Sequence, residues 1–304
     1  MGSVGEEVAR LLQVGRPVFR DGVRQFLLAR STLIIAALLL TPCLLSGWFW
    51  YDSRGEMETQ VIDGNEVRVR GEDVVHTEMA DLFYGLAFDL YLPLVVALVA
   101  LLGAAELLNT EFKQKTMQLL RTSPVRMYEI LLPKLLAGTL GTFVAVGTPL
   151  TVIYLALLAH GGSFGLREHL PLLGAVLGTL LLASLTYTSI FLLINALVQR
   201  PLPVSLVYWL VWEVMLASGD SQRFSVMHYL RSFALPQLKY FGIEAGDLGL
   251  TAESLSGEFA TMVSIATDPG QAVAVLLAVT ALAFMLASRL LERKQFRKLK
   301  SAGK

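Results

Sequence analysis

The stretch "LLRTSPVRMYEILLPKLLAG", Leu119–Gly138, lies between two apolar runs that are each long enough to enter a membrane. It interrupts them with basic and polar residues and with Pro124, which disfavours helical geometry in the residue before it. A run that begins upstream of this stretch and extends into it places Phe112, Thr116, Leu119 and Leu120 at helical spacing. This spacing predicts one face of a short helix. The pattern predicts two long apolar helices joined by a short amphipathic helix that ends before Pro124.

The composition places the chain in a membrane. Hydrophobic residues make up 54% of it and charged residues 16%, with a mean hydropathy of +0.59, whereas roughly a quarter of the residues of soluble domains are charged. The single cysteine, Cys43, lies in an apolar run, which excludes a disulfide framework and a CxxC site within one chain. No apolar core precedes residue 32, so a cleaved signal peptide is not expected.

Six apolar stretches approach the length of about 20 residues that crosses a bilayer core of ~30 Å. The fifth is the shortest and follows the fourth after Gln199–Pro201, so these two are expected to form a helical hairpin. Pro93 and Pro149 are expected to kink the second and third. The predicted spans are 32–51, 82–108, 131–159, 170–198, 202–218 and 271–291.

Charge asymmetry predicts the orientation. With the N-terminus inside, the cytoplasmic segments and the adjoining span ends hold 18 of the 25 Lys and Arg residues. The outer loops hold 16 of the 25 Asp and Glu residues. Both termini are therefore expected in the cytoplasm, and the predicted fold class is an all-α membrane protein. Its parts are an amphipathic interfacial helix 1–31, a transmembrane domain 32–291 with outer loops 52–81 and 219–270 and cytoplasmic loop 109–130, and a basic tail 292–304.

Three segments outside the spans have patterns of their own. Residues 6–31 place apolar residues and arginines at helical spacing, which favours a helix in the anionic inner headgroup layer over one docked on another subunit. Asp63-Gly64 between alternating residues predicts a small β-hairpin. "FSVMHYLRSFALPQLKYF", Phe224–Phe241, is amphipathic enough to lie on or enter the outer leaflet.

Motifs for catalysis are weak or absent in the sequence. It has no GxxxxGK[ST] phosphate loop, so it is not expected to hydrolyse ATP by that chemistry. "GGSFG", Gly161–Gly165, matches a nucleophile pattern but lacks the strand-turn-helix setting, and glycines there more simply close a turn. The histidines show no paired ligand spacing, so no metal site is predicted. No catalytic residue is predicted either, and no nucleic-acid partner is expected.

Two acidic residues lie inside predicted spans, Asp89 in the second and Glu213 in the fifth. An ionisable side chain at such depth is costly and marks a transport pathway or a buried hydrogen-bonded pair. Both are candidate residues of a translocation path, with structural hydrogen bonding as the favoured alternative. "GAVLG", Gly174–Gly178, permits close helix approach, within one subunit more readily than between two.

The loop 109–130 also carries a family resemblance. Asn109 is expected to cap its helix and Glu111 to lie in the first turn. The run from Glu111 through Lys115, Thr116 and Pro124 to Lys134 resembles the cytoplasmic loop of ABC-2 type permeases, the membrane subunits of one class of ATP-binding-cassette exporter. It departs by having Lys115 and Pro133 where the family usually has glycine. The six spans, and the long outer segment between the fifth and sixth spans, resemble the same family across nearly the whole chain.

The resemblance implies that this loop is a coupling helix seated in a groove of a cytoplasmic ATPase. It implies two copies of that ATPase and a second permease subunit, as a homodimer, with the path lined by the first, second and fifth spans. ATP and Mg would be used by the ATPase, with no cofactor bound by this chain. The implied coupling residues are Glu111, Phe112, Lys115, Thr116, Leu119, Leu120 and Pro124.

The resulting hypothesis is an exporter permease in the inner (plasma) membrane of a prokaryote, without catalysis of its own. The resemblance favours an amphipathic or lipid-like cargo, although family members also include some that serve the maturation of a periplasmic metalloenzyme. The alternative is an ion-coupled secondary transporter or channel that uses Asp89 and Glu213. An intramembrane enzyme is disfavoured because no nucleophile and base are paired.

Overall fold

In the part of the chain that it describes, the computed structural model is mainly helical and contains one β-hairpin. It describes residues 15–26, 58–62, 65–69, 83, 86–113, 127–158, 170–198, 200–215, 219–240 and 267–302. The first predicted span, 32–51, lies outside these residues.

Seven longer helices and one short 3₁₀-helix, Gly219–Phe224, are described. Two of them, α2 and α5, combine an α-helical part with a π-helical part. The helices are α1 (residues 15–26), α2 (π-helical Leu86–Val95 and α-helical Val96–Lys113), α3 (Met127–Leu158), α4 (Leu170–Leu197), α5 (α-helical Pro201–Tyr208 and π-helical Trp209–Met215), α6 (Val226–Tyr240) and α7 (Pro269–Ala302).

Four of these helices are long and apolar enough to cross a membrane. The crossing segments are Leu90–Leu107, Met127–Leu155, Leu170–Leu197 and Pro269–Arg293, which match the second, third, fourth and sixth predicted spans. The fifth is described as far as Met215, and 15 helical residues rise only about 22 Å. A complete crossing by the fifth span therefore stays a prediction, as do the six-span count and the cytoplasmic termini.

Helix α4 lies at the centre of the bundle and packs against α2, α3 and α7. Its large side chains Tyr187 and Phe191 have no exposed surface. A helix covered on several sides has no face turned to water, which explains why α4 is mostly apolar instead of amphipathic. The ring of Phe83, which precedes α2, meets the ring of Tyr154 on α3 edge to face, with centroids 5.5 Å apart.

The predicted hairpin of the fourth and fifth spans is confirmed. Helix α4 ends at Leu197 and α5 begins at Pro201, where proline suits the first turn because its missing N–H would have no intrahelical partner. The rings of Phe191 on α4 and Tyr208 on α5 meet edge to face with centroids 6.4 Å apart.

The two prolines behave differently. Pro93 lies within the π-helical segment of α2. Where a π-helical segment continues as an α-helix, one backbone carbonyl is left without a helical N–H partner. The carbonyl of Pro93 accepts a hydrogen bond from the indole N–H of Trp209 on α5 at 2.9 Å. Pro149, in contrast, lies inside a continuous α-helix, α3.

The two glycines of "GAVLG" make no close contact with a described helix. A Cβ added at Gly174 or Gly178 would meet no described atom within 4 Å, so helix packing at this site, within one subunit or between two, stays a prediction. Close approach occurs instead at Gly138 of α3, where a Cβ would lie 2.7 Å from Cγ2 of Thr188.

The predicted β-hairpin is present. Strands β1 (Glu58–Ile62) and β2 (Asn65–Val69) pair antiparallel, with Ile62 opposite Asn65 across Asp63-Gly64. This two-residue connection is the one that an Asp-Gly pair favours.

Candidate functional site

The predicted coupling residues lie at the junction between α2 and α3. Glu111 and Phe112 belong to the last turn of α2, which continues to Lys113. Asn109 is therefore inside a helix instead of capping a new one, because the apolar helix of the span extends beyond its predicted end. The remaining predicted coupling residues, Lys115, Thr116, Leu119, Leu120 and Pro124, lie outside the described residues.

A buried lysine joins the two helices below this loop. Lys134, in the second turn of α3, is 3% exposed, and its Nζ donates to the carbonyl of Leu107 on α2 at 2.6 Å. A buried charged amine is costly unless it is hydrogen-bonded, as the Lys134 amine is here. The bond holds the ends of α2 and α3 together at the base of the loop.

Helix α1 docks on the same pair of helices. The ring of Phe26 is fully buried between Gly103 of α2 and Gly141 of α3, and a Cβ at either glycine would overlap it. A second contact is made at Gly22, where a Cβ would lie 2.9 Å from that of Ala137. We call this seat of the Phe26 ring the Phe26 notch. The sequence predicted an amphipathic helix but not that its apolar face meets this chain.

The other face of α1 is basic. Arg16, Arg20 and Arg24 are exposed and recur every four residues, so they form one row along the helix. Asp21, next to this row, accepts a hydrogen bond from Gln25 at 2.7 Å. The helix thus presents glycines and Phe26 to the bundle and three guanidinium groups away from it.

The two acids inside predicted spans lie on neighbouring helices. Asp89 belongs to the π-helical segment of α2, and Glu213 belongs to the π-helical segment of α5. The bond from Trp209 to Pro93 links the same two segments. The structure therefore places both candidates in irregular helix near one contact between α2 and α5.

Glu213 caps another helix. Its buried carboxyl group accepts the hydroxyl of Ser225 at 2.7 Å and the backbone amides of Val226 and Met227 at 3.2 Å each. These amides open α6, where helical N–H groups lack intrahelical partners and favour a negative group. Tyr187 of α4 lies within electrostatic reach of the carboxyl group, but its hydroxyl makes no well-formed hydrogen bond. The hydrogen-bonding alternative thus describes Glu213 in this structure, while a role in transport stays a prediction.

Helix α6 also contacts the residues before α7. The amide of Thr267 donates to the Ser232 hydroxyl at 3.2 Å, and the Thr267 hydroxyl lies 3.0 Å from Nε2 of His228. Burial, and then the positive charge of Arg223, lower the pKa of His228 below its usual value of 6.5. Within the described ranges, no three His, Cys, Asp or Glu side chains converge as metal ligands would.

A row of buried polar side chains was missed from the sequence. Ser184, Thr188 and Asn195 share one face of α4, with Thr142 one turn from Gly138 on α3, and none of their side chains makes a hydrogen bond to a described residue. The signal was present as polar residues at helical spacing inside an apolar span. Such groups are costly when left unpaired.

The match to a known family agrees with this architecture. A family model described as "ABC-2 family transporter protein" matches residues 18–296. The chain belongs to the ABC-2 transporter family. No curated protein matches it.

Membership of the ABC-2 family indicates the role of the chain. An ABC-2 family protein with several membrane-crossing helices is a permease, a membrane transport subunit and not a catalytic one. Permeases of this family generally work with an ATPase subunit. The chain is accordingly a multi-pass membrane protein of the ABC-2 family.

Proposed function

We propose that this ABC-2 permease is the membrane subunit of an exporter that moves an amphipathic or lipid-like substrate outward. Energy comes from ATP, with Mg, hydrolysed by two copies of a separate cytoplasmic ATPase. A second copy of the permease completes the translocation path, in the inner membrane of a prokaryote. The chain crosses that membrane six times with both termini in the cytoplasm.

The observation that carries the proposal is the construction of the α2–α3 junction. The Lys134 bond joins α2 to α3, and Phe26 fits into both helices at once. A push on the connecting segment 114–126 would therefore be transmitted to α1, α2 and α3 together, because close-packed elements transmit displacement instead of absorbing it. This is the property that a contact with an ATPase requires.

The proposed ATPase contact is the amphipathic face of that segment. Its residues are Glu111 and Phe112 from the last turn of α2, followed by Lys115, Thr116, Leu119, Leu120 and Pro124 from the segment 114–126. An apolar stripe between charged flanks suits a groove on a soluble partner, in which the leucines are buried and the charges are left at the rim.

The proposed path runs along α2 and α5, on which Asp89 and Glu213 lie. Many large apolar side chains of α5 are exposed in the single chain, including Val207 at 59% and Leu210 at 50%. An apolar face of this kind suits a second subunit or a lipid-like cargo better than a hydrated one.

Co-purification tests the proposal. The permease is expressed with the ATPase encoded beside its gene, and the amount of ATPase retained by the tagged permease is measured. Replacing Leu119 and Leu120 together by Asp places two charges in the proposed contact, so the ATPase is expected to be lost while membrane insertion is kept. Leu299→Asp, in the basic tail, is the matched control and should retain it.

Two results would contradict the proposal. If the unaltered permease retained no ATPase, the assignment as an ATP-driven permease would be wrong. If the Asp variant retained the ATPase and supported ATP-dependent transport, the segment 114–126 would be a lipid-facing connection instead of the contact.

A further inference from the structure

Helix α6 is attached to the rest of the chain at two places that differ in chemistry. At its start, the carboxyl group of Glu213 receives the Ser225 hydroxyl and two backbone amides; we call this the α5 tie. Along its side, Ser232 and His228 bond to Thr267, just before α7; we call this the α7 tie. The α5 tie joins residues 12 to 14 positions apart, and the α7 tie joins residues 35 and 39 positions apart.

The α5 tie is the stronger of the two. Hydrogen bonds to a carboxylate are roughly twice as strong as those between neutral groups, and Glu213 is only 6% exposed. Breaking the tie would leave an acid and two helix N–H groups buried without partners, which is more costly than the bonds are favourable. Ser225 reinforces the arrangement, because its hydroxyl also accepts the Met227 amide at 3.1 Å.

The α7 tie is easier to break. It joins uncharged groups, and Thr267 is partly exposed, so water can replace its bonds at little cost. The apolar face of α6, with Leu230 and Ala234 fully buried, packs mainly against α4 and α7. This apolar packing must also slide or separate when α6 moves relative to α7.

A further bond joins α5 to the segment that leads into α6. The indole N–H of Trp212 donates to the carbonyl of Phe224 at 3.0 Å. It lies one residue from Glu213 and one from Ser225, so it acts beside the α5 tie. The segment before α6 is thereby held to α5 at two successive positions.

We propose that α6 moves together with α5. When the permease changes state, the two helices move as one body and α6 separates from α7 at Thr267. Glu213 is then a positioning residue that acts through the backbone of α6. The inference rests on the proposed function only in taking ATP as the cause of the change of state.

Two cross-links placed in a Cys43→Ser background test the direction of separation. Trp212→Cys with Phe224→Cys joins α5 to the start of α6, and Ser232→Cys with Thr267→Cys joins α6 to the α7 side. Bifunctional thiol reagents of graded length close each pair in the assembled complex with its ATPase. ATP hydrolysis is compared before and after closure, so that each variant is its own control.

Closure of the 212–224 pair is expected to leave most of the ATPase activity. Closure of the 232–267 pair is expected to lower it about tenfold, with recovery after the cross-link is cleaved. The opposite order, or equal inhibition by both, would overturn the inference.

Hydrogen exchange of the permease alone in lipid nanodiscs is a second test that needs no ATPase. Glu213→Gln puts an amide donor against the N–H groups, so exchange at Val226 and Met227 is expected to rise about tenfold or more. Ser232→Ala, the matched control, should raise exchange at Thr267 and leave Val226 and Met227 unchanged. Ser225→Ala, which keeps the carboxyl group, should give an intermediate increase at Val226 and Met227.

The inference fails if Ser232→Ala frees Val226 and Met227 as much as Glu213→Gln does, because α6 would then be held from the α7 side. Such a result would leave the ATPase assignment intact. Conversely, a permease that retains no ATPase would contradict the proposed function while the exchange result still stood.

Discussion

Single residues fix how closely the helices of this permease approach one another, and glycine positions show it most directly. At Gly141, an added Cβ would lie 2.5 Å from the Phe26 ring, whereas at Gly174 it would meet no described atom within 4 Å. The same substitution is thus an overlap at one site and a gain of helix propensity at the other.

Gly141→Ala is expected to lower the thermal midpoint of the purified permease by the equivalent of about 1–3 kcal/mol, since it overpacks the Phe26 notch. Gly174→Ala, its matched control, is expected to be neutral or to stabilise by up to about 1 kcal/mol. Thermal unfolding in nanodiscs measures both. Loss of stability in Gly174→Ala would show that this glycine faces another helix, in this subunit or in a second copy.

A substitution at Asn195 is expected to raise the thermal midpoint, whereas Gly141→Ala is expected to lower it. Both polar atoms of its side chain are buried without a hydrogen bond, and replacing an unpaired buried group by an apolar one of similar size removes its desolvation cost. Asn195→Leu is therefore expected to raise the thermal midpoint, by the equivalent of about 1–3 kcal/mol. A lowered midpoint would mean that water or another partner satisfies the amide in the membrane.

The contact between α6 and α7 should depend on pH through His228. Its pKa is lowered in the folded protein, so the unfolded chain binds more protons at pH values between the two pKa values. Stability is then complete above the usual pKa of 6.5 and falls as the pH drops towards the lower folded-state pKa. Thermal unfolding should show this decrease in the unaltered chain but not in His228→Gln. Equal pH dependence in both would rule out His228 as its source.

At the scale of elements, α1 contacts both protein and, by our expectation, lipid. One face fills the Phe26 notch, and the row of Arg16, Arg20 and Arg24 points away from it. Basic residues near the inner surface each gain about 1 kcal/mol from anionic lipid. Since Phe26 joins α1 to both α2 and α3, the lipid composition is expected to influence the junction that meets the ATPase.

Replacing the three arginines by Gln is expected to reduce the number of phosphatidylglycerol molecules retained by the permease in native mass spectrometry. Arg223→Gln, before α6, serves as the control and should retain the full number. Unchanged retention in the triple variant would instead favour an acidic protein surface as the partner of this row.

At the scale of the whole molecule, the sequence predicts the elements far better than their contacts. Four spans were located, with ends that differ by up to eight residues from the crossing segments, because length and apolarity are local properties that the bilayer imposes. The hairpins at Asp63-Gly64 and at Pro201 were predicted for a similar reason, since turn chemistry lies in adjacent residues.

What the sequence did not predict depends on residues far apart in the chain. The Phe26 notch joins positions more than 70 residues apart, and no periodicity identifies Gly103 and Gly141 rather than Gly174 and Gly178 as the close contacts. The partners of Glu213 lie on a different element, so its burial was predictable but its capping role was not. Asn109 was misjudged because an apolar helix can continue into polar residues.

The central claim is that ATP hydrolysis by a partner drives outward movement through this permease. Its most direct test is uptake of a fluorescent amphipathic probe into inside-out vesicles containing the permease and its ATPase. Uptake is expected to require ATP, to persist when ionophores collapse the ion gradients, and to vanish in the Leu119→Asp, Leu120→Asp double variant. Uptake that follows the ion gradients and survives ATP depletion would contradict the account and favour an ion-coupled transporter.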